Sequence, residues 1–445
     1  MSKESDSYKK RLSEQGLWLS GTILTIAAIT SACNAKNNDP ISTTDTPPPT
    51  STSEHISPTT QTEITPLKEN GLEDLSGKIL VRSFPDGFGQ DINFDEQSDI
   101  PDFDLSVNLW LINPNGSEKI LISERSSINA PVLWSPKGDM FAALIEGDSY
   151  FDFQNDQWNV FDLKGNVIAT LGKGFATLIP EEDVSWSPTD NSLIYSQKFG
   201  GIFEYNINTQ HTREFITTTG RTLDNSPAIS PDGSKLIYVH HEFGSNYYVT
   251  LAKLDPNKLP HKGNEHNLGV INPELKVLSS GEFSGDVPFR FLWTRDGQKV
   301  IWAQETISND NFDQAIYIAD VNRELVTRID LNWCTSWPSK IGDNIDLSKD
   351  GQTILFTCND SLYATDLNGD ITTILDSEDL KLFLKLPNYQ DGFVEYPRWS
   401  PDGKHIIFYS FPDDIIIVKN DGSDIEKVPF TEALLNTGGV EWSPK

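Results

Sequence analysis

Pro397-Arg398-Trp399-Ser400-Pro401-Asp402-Gly403-Lys404, followed one residue later by Ile406-Ile407-Phe408, is the stretch that decides the fold of this chain. It reads as an aromatic residue, a hydroxyl, a tight turn and an apolar run. Proline presets φ at the first turn position, aspartate bonds local backbone, and glycine takes the left-handed position that other residues avoid. Six more copies lie around it: Leu133-Trp134-Ser135-Pro136-Lys137-Gly138, Val184-Ser185-Trp186-Ser187-Pro188, Ala228-Ile229-Ser230-Pro231-Asp232-Gly233, Leu292-Trp293-Thr294-Arg295-Asp296-Gly297, Asp346-Leu347-Ser348-Lys349-Asp350-Gly351 and Glu441-Trp442-Ser443-Pro444. Counted from the residue before each hydroxyl, the gaps are 52, 43, 64, 54, 52 and 43. A period near 50 with strand patterning predicts an all-β repeat fold, a β-propeller.

Each turn leads into an apolar second strand such as Met140–Ile145, Lys235–Val239 or His405–Tyr409, and then into a third such as Trp158–Phe161 or Ile415–Val418. Hairpin pairs Asn115-Gly116, Lys164-Gly165, Asn368-Gly369 and Asp421-Gly422 mark a fourth strand. The aromatic residue of the phrase is expected to pack between neighbouring blades, where a flat side chain buries most area. Where glycine is missing, Asn191 is expected to take the left-handed turn position. The last copy stops where its second strand should begin. That strand appears instead at Ser76–Val81, followed by Asn108–Ile112 and Lys119–Ile122. The two ends of the domain should therefore complete one blade and remove the open edges of a partial ring. The count is seven blades, with six the competing count if the weak copy at Ile229 or Leu347 belongs to a distorted blade.

The phrase from Pro397 to Lys404, with Ile406-Ile407-Phe408, resembles the WD40-like repeat of TolB-type propellers. The match runs from about residue 72 to 445. That family has a six-bladed propeller beside a separate N-terminal domain and acts by binding envelope proteins. This chain has no evident counterpart of that N-terminal domain. The resemblance thus implies the fold and a protein-binding role, and leaves the partner open.

Residues 1–32 read as an export signal. Lys3, Lys9, Lys10 and Arg11 precede an uncharged stretch from Leu17 to Thr30, and small residues lead to Cys33. A cysteine at that point resembles the bacterial lipobox, with Thr30 standing where an aliphatic residue is usual. Cys33 is then the lipidated first residue of the mature chain. Residues 33–71 follow as a tether: between Ile41 and Pro66, 18 of 26 residues are Ser, Thr or Pro. Such a segment has too little apolar surface to offset ordering entropy. Residues 72–445 form the propeller.

With 35 Lys and Arg against 65 Asp and Glu, the net charge of −30 opposes binding to nucleic acid. The long loops joining second to third strands are acidic. Asp183, Asp286, Asp346, Glu395 and Glu441 stand just before inner strands and are expected at the mouth of the central channel. Trp333, Trp337 and Tyr389 lie between blades and would edge the same face. The bland alternative for each residue is a solvated loop charge or a packed aromatic. Together they predict a face suited to a basic peptide, a cation or a polyhydroxyl ligand. The loop from Asp91 to Asp104 is acidic enough for calcium but has no recognised ligand spacing, and no cofactor is expected. Cys334 and Cys358 flank one face of the sixth blade and are candidates for a disulfide in an exported chain.

Catalytic signals are sparse. The prolyl-oligopeptidase class shares this propeller type but needs a Gly-x-Ser-x-Gly elbow, and Gly281-Glu282-Phe283-Ser284-Gly285 has its serine one place late. Metal-using propeller lyases need convergent histidines, and His240-His241 ends a strand where neighbours point to opposite faces. The sequence therefore predicts a monomeric, lipid-anchored module of the cell envelope that binds a protein or peptide. A carbohydrate-binding or carbohydrate-active propeller is the alternative.

Overall fold

Alternation along the second strands builds the molecule. In the computed structural model, Leu80 packs towards one neighbouring sheet while Ile79 and Val81 pack towards the other. Likewise Ile406 and Phe408 serve one interface, and Ile407 and Tyr409 the next. This two-residue period buries both faces of every sheet. The structure describes residues 72, 75–84, 107–127, 130–147, 156–171, 184–197, 201–216, 222–242, 247–254, 276–281, 290–308, 311–323, 325–334, 344–386, 394–410, 414–430 and 440–445.

Among the described residues, the strands pair into five four-stranded antiparallel sheets and one eight-stranded sheet. The large sheet is two four-stranded groups joined by a single bridge, Ser126 to Ile145. Seven groups of four result. Their innermost strands are Glu441–Trp442, Leu133–Trp134, Val184–Trp186, Thr222–Ile229, Leu292–Trp293, Ile345–Leu347 and Val394–Trp399. Each is the strand that carries one copy of the repeated phrase, and the weak copies at Ile229 and Leu347 head complete groups. We number the blades from first to seventh in that order.

Seven apolar clusters lie between successive blades. One joins Leu80, Leu109 and Leu111 of the first blade to Phe141 and Phe161 of the second. Another joins Ile237 and Val249 of the fourth to Val300 and Trp302 of the fifth. The cluster that returns from the seventh blade to the first holds Ile407, Ile415 and Ile417 against Ile79, Val81 and Ile112. Each fully buried side chain of this size contributes about 1.5–3 kcal/mol relative to exposure. Strand pairing completes the cycle: Ile79 faces Trp442 and Leu80 faces Glu441. The architecture is a β-propeller.

The repeated phrase is a hydrogen-bonded turn. Ser230 Oγ donates to Asp232 Oδ1 at 2.6 Å, and Lys235 N donates to Ser230 Oγ at 2.9 Å. The same pair of bonds recurs at Thr294 with Asp296 and Lys299, at Ser348 with Asp350 and Thr353, and at Ser400 with Asp402 and His405. The glycine of each of these turns has φ between 64° and 73°. The third-blade copy differs from expectation. Asn191 does not adopt positive φ, nor does Asp190. There Ser187 pairs with the Thr189 hydroxyl instead, at 3.2 Å.

The phrase tryptophans do pack between blades, and they are also wired. Trp134 Nε1 donates to the carbonyl of Glu441, Trp186 Nε1 to that of Leu133, and Trp293 Nε1 to that of Ala228. In each case the acceptor precedes the phrase residue of the previous blade. One helix, Ser377–Leu384, interrupts the strands after the sixth blade, and the sequence reading missed it. Asp376 caps it by accepting from Asp379 N at 2.8 Å, and Leu380 anchors it in the core between the sixth and seventh blades.

Candidate functional site

The two ends of the blades differ in chemistry. One end carries the repeated turns. At the other, each apolar second strand has a polar residue at or within four residues of its far end: Ser83, Glu146, Ser196, His240, Gln304, Thr357 and Ser410. All but His240 are buried. Buried polar groups cost stability unless partnered, so this end is organised as a set of local networks. Arg82, buried, donates to the carbonyl of Ala130 and reaches Ser126 Oγ. Asp156 Oδ1 accepts from Gly147 N at 2.8 Å beside Glu146. His240 Nδ1 lies 2.6 Å from Asp224 Oδ1, a pairing of residues opposite one another in the fourth blade. Asn332 Oδ1 accepts from Gln314 N at 3.1 Å.

Of the predicted channel-mouth residues, Asp346, Glu395 and Glu441 fall among those described, and all three lie within inner strands rather than before them. Asp346 and Glu441 each join an ion pair, and the backbone of the strand that carries Arg398 ties the two together. Arg290 Nη2 approaches Asp346 Oδ1 at 3.6 Å. Arg398 Nε donates to Glu441 Oε1 at 2.7 Å. Asp346 Oδ2 also accepts from Trp399 N at 2.9 Å. These contacts link the fifth, sixth, seventh and first blades near the axis. Burial holds the Asp346 carboxyl above its usual range despite Arg290 and Arg398. Both carboxylates thus serve inter-blade contacts, and Arg398, within the quoted phrase itself, is the residue that sequence reasoning passed over.

Glu395 differs. Its side chain is buried at 5 % exposure, and among the described residues Oε2 meets no hydrogen-bond partner. Burial, with the nearby Asp360 charge second, pushes its carboxyl up to about 8. It sits beside a bulge in the inner strand of the seventh blade, where Tyr396 has φ 54° and donates its N–H to Asn344 Oδ1 at 2.7 Å. Replacing Glu395 by lysine would bury an ammonium there, so charge reversal at this position tests stability as much as binding.

Trp333 is exposed, packs edge-on to Tyr363 at 5.2 Å, and its carbonyl accepts from Asn359 Nδ2 at 3.3 Å. Cys334 and Cys358 form a disulfide, with Cα atoms 5.5 Å apart. Asp183, Asp286, Trp337, Tyr389, the loop Asp91 to Asp104, Cys33 and the whole of residues 1–71 lie outside the described residues. Among the described residues, no group of three or more His, Cys, Asp or Glu could hold a metal ion, and no helix is long and apolar enough to cross a membrane.

No protein-family model matches the chain, and no curated protein sequence does either. Solved structures are similar in fold. TolB from Acinetobacter baumannii is 15% identical with a TM-score of 0.42, over 84% of this chain and 68% of that one. A TolB assignment from Agrobacterium tumefaciens is 18% identical with a TM-score of 0.37, over 63% and 94%. The β-propeller domain of Cps50 (Swd1) from Myceliophteria thermophila is 10% identical with a TM-score of 0.44, over 71% and 96%. The chain is similar to TolB-like and WD40-like propellers, and its fold stands on its own strand pairing.

Proposed function

We propose that this chain is an exported, lipid-anchored, seven-bladed propeller that binds a protein or peptide partner of the cell envelope without turning it over. The observation that carries this reading is the polar end of the blades. Each second strand has a polar residue at or near that end, six of the seven buried in local networks, whereas the opposite end is occupied by repeated turns whose chemistry is structural. Those buried polar networks give a binding face at this end a rigid footing. The disulfide suits an oxidising compartment, and the net charge of −30 suits a basic partner rather than nucleic acid. Cys33 supplies the anchor in this scheme, and the Ser, Thr and Pro-rich segment holds the propeller off the membrane as a monomer.

The test is capture from native membranes with the tethered chain, alongside titration with oligosaccharides with and without divalent metal. A stoichiometric protein complex without product is the expected result. Formation of a cleaved or eliminated sugar would overturn the binding-module reading.

A further inference from the structure

We propose that a two-stranded ribbon on the fifth blade takes up an extended basic segment of the partner as an added β-strand. The inference rests on the partner-binding reading above and names the element that makes the contact and the kind of chain it receives. In the fifth blade the second and third strands, Lys299–Ser308 and Asn311–Asp320, have ten residues each, against five to eight for their counterparts among the described residues. They pair without a register shift from Lys299 opposite Asp320 to Ser308 opposite Asn311. Their neighbours stop short. The inner strand Leu292–Trp293 reaches only to Ile301. The outer strand Leu325–Asp330 reaches Ala315, with one further bond from Leu331 N to the carbonyl of Gln314 at 2.9 Å. Asn332 Oδ1 accepts from Gln314 N at 3.1 Å and ends that edge. Beyond Gln314 the pairs Thr306 with Asp313, Ile307 with Phe312 and Ser308 with Asn311 run on alone, for about 10 Å at the usual strand rise. The ribbon leaves the ring at the polar end of the blades.

The occupant follows from the backbone and charge of those strands. A strand edge presents unpaired N–H and C=O groups, and proteins blunt such edges with lysine, proline or a bulge. Residues 302–318 include no lysine, arginine or proline, and the pairing carries no bulge. Among the described residues no further strand lies alongside the ribbon. In antiparallel pairing every second residue turns both its N–H and its C=O to the open side, so residues 305–308 offer about four hydrogen bonds to an added strand. A two-stranded ribbon is marginal by itself and gains from a third strand. Main-chain bonds supply affinity in this mode, and side chains select the sequence. The ribbon carries Glu305 and Asp313 and no cation, on a chain of net charge −30. Like charges set opposite one another destabilise a strand pair, which opposes a second copy of this chain, whereas opposite charges stabilise it. A strand that alternates lysine or arginine with apolar residues matches both this charge and the opposed Ile307 and Phe312.

The experiment uses the full tethered chain and three capped heptapeptides, titrated by calorimetry. One alternates lysine and valine, the second is the same sequence methylated at every backbone amide, and the third has glutamate in place of lysine. The first should bind at least tenfold more tightly than either of the others. Replacing residues 306–313 by an asparagine–glycine turn joins Glu305 to Gln314, which stand opposite one another. This trimmed chain should lose at least tenfold of that affinity at an unchanged fold, judged by circular dichroism. If it does not fold, hydrogen exchange at residues 305–308 of the intact chain decides: slowed by the lysine peptide as expected, or unchanged, which overturns the inference. Equal binding of the methylated or the glutamate peptide, no binding of the lysine peptide, or undiminished affinity in the trimmed chain also overturns it. So does a dimer that the intact chain forms and the trimmed chain does not. Membrane capture separates the inference from the reading beneath. Undiminished partner capture by the trimmed chain sinks this inference alone, whereas peptide binding without any captured partner sinks the module reading and leaves this one standing.

Discussion

Replacing Glu395 by glutamine should stabilise the protein, and increasingly so as pH rises. The folded carboxyl titrates at about 8 against an ordinary value of 4.5, with burial as the main cause and Asp360 second. Between those values the folded protein holds a proton that the unfolded chain has released, so wild-type stability falls as pH rises through the window. Each pH unit corresponds to about 1.4 kcal/mol. At pH 7 the accumulated penalty is about 3 kcal/mol, it saturates above about pH 8, and it is absent below pH 4.5. Glutamine removes the proton linkage but adds an amide N–H₂ to a site with few acceptors, which costs about 1 kcal/mol. A net gain of about 2 kcal/mol at pH 7 is therefore expected, shrinking to zero or below at pH 5. Guanidinium unfolding of both proteins at pH 5, 6, 7 and 8 gives the difference directly. A difference that stays flat across that range refutes the placement of Glu395 as a buried, protonated acid.

Arg398→Ala should cost about 3–5 kcal/mol in urea unfolding, because it strips Glu441 and Asp346 of a buried cation; the pairing is at 2.7 Å to Glu441. Gly422→Ala should lower the melting temperature by several degrees more than Gly403→Ala. Both glycines have positive φ, but a Cβ at 422 runs into the carbonyl of Ile374 in the neighbouring blade, whereas one at 403 meets nothing within 4 Å. The Ser230, Thr294 and Ser348 hydroxyls hold Asp232, Asp296 and Asp350 below the usual carboxylate range. Their stabilisation should be present at neutral pH and lost as pH falls below about 4, and the triple Asp→Asn protein should lose that part of its acid dependence in denaturation midpoints. Alkylation before and after reduction should add two carbamidomethyl groups only after reduction, at Cys334 and Cys358; labelling of either in the unreduced protein would exclude the bond.

The turns were readable because their chemistry is local: a hydroxyl, an aspartate and a glycine within four residues specify a conformation unaided. Even there, the third copy escaped, since Ser187 found Thr189 and dispensed with the left-handed residue expected at Asn191. The blade order followed from the period and from the unfinished last copy. The candidate site was read less well, for a physical reason. Whether Asp346 or Glu441 faces a ligand or a neighbour depends on which residue of a blade some 50 positions away lies alongside, and no local pattern encodes that. Arg398 was in view as part of the phrase, but its partners are set by tertiary packing. At Glu395 a bulge breaks the two-residue alternation, so the face it occupies could not be counted off from Trp399.

The pairing of Glu441–Trp442 with Ile79–Leu80 has a bearing on how the protein comes into being. Lys78 N donates to Ser443 Oγ across a separation of 365 residues, so the first blade cannot be finished until nearly the whole chain is available. A chain emerging from a ribosome or a membrane pore presents Ile79–Ser83 early, with one side unpaired. It then waits through six further blades for its partner strand. That interval leaves two complementary strand edges open on a long nascent chain, the condition under which strands pair with the wrong molecule. Ring closure thus makes the last few residues a checkpoint on biosynthesis. A chain interrupted between Lys427 and Glu441 keeps its other six blades but not its seal, and a holding factor that shields the edge of Ile79–Ser83 would be of most use to this protein before that point.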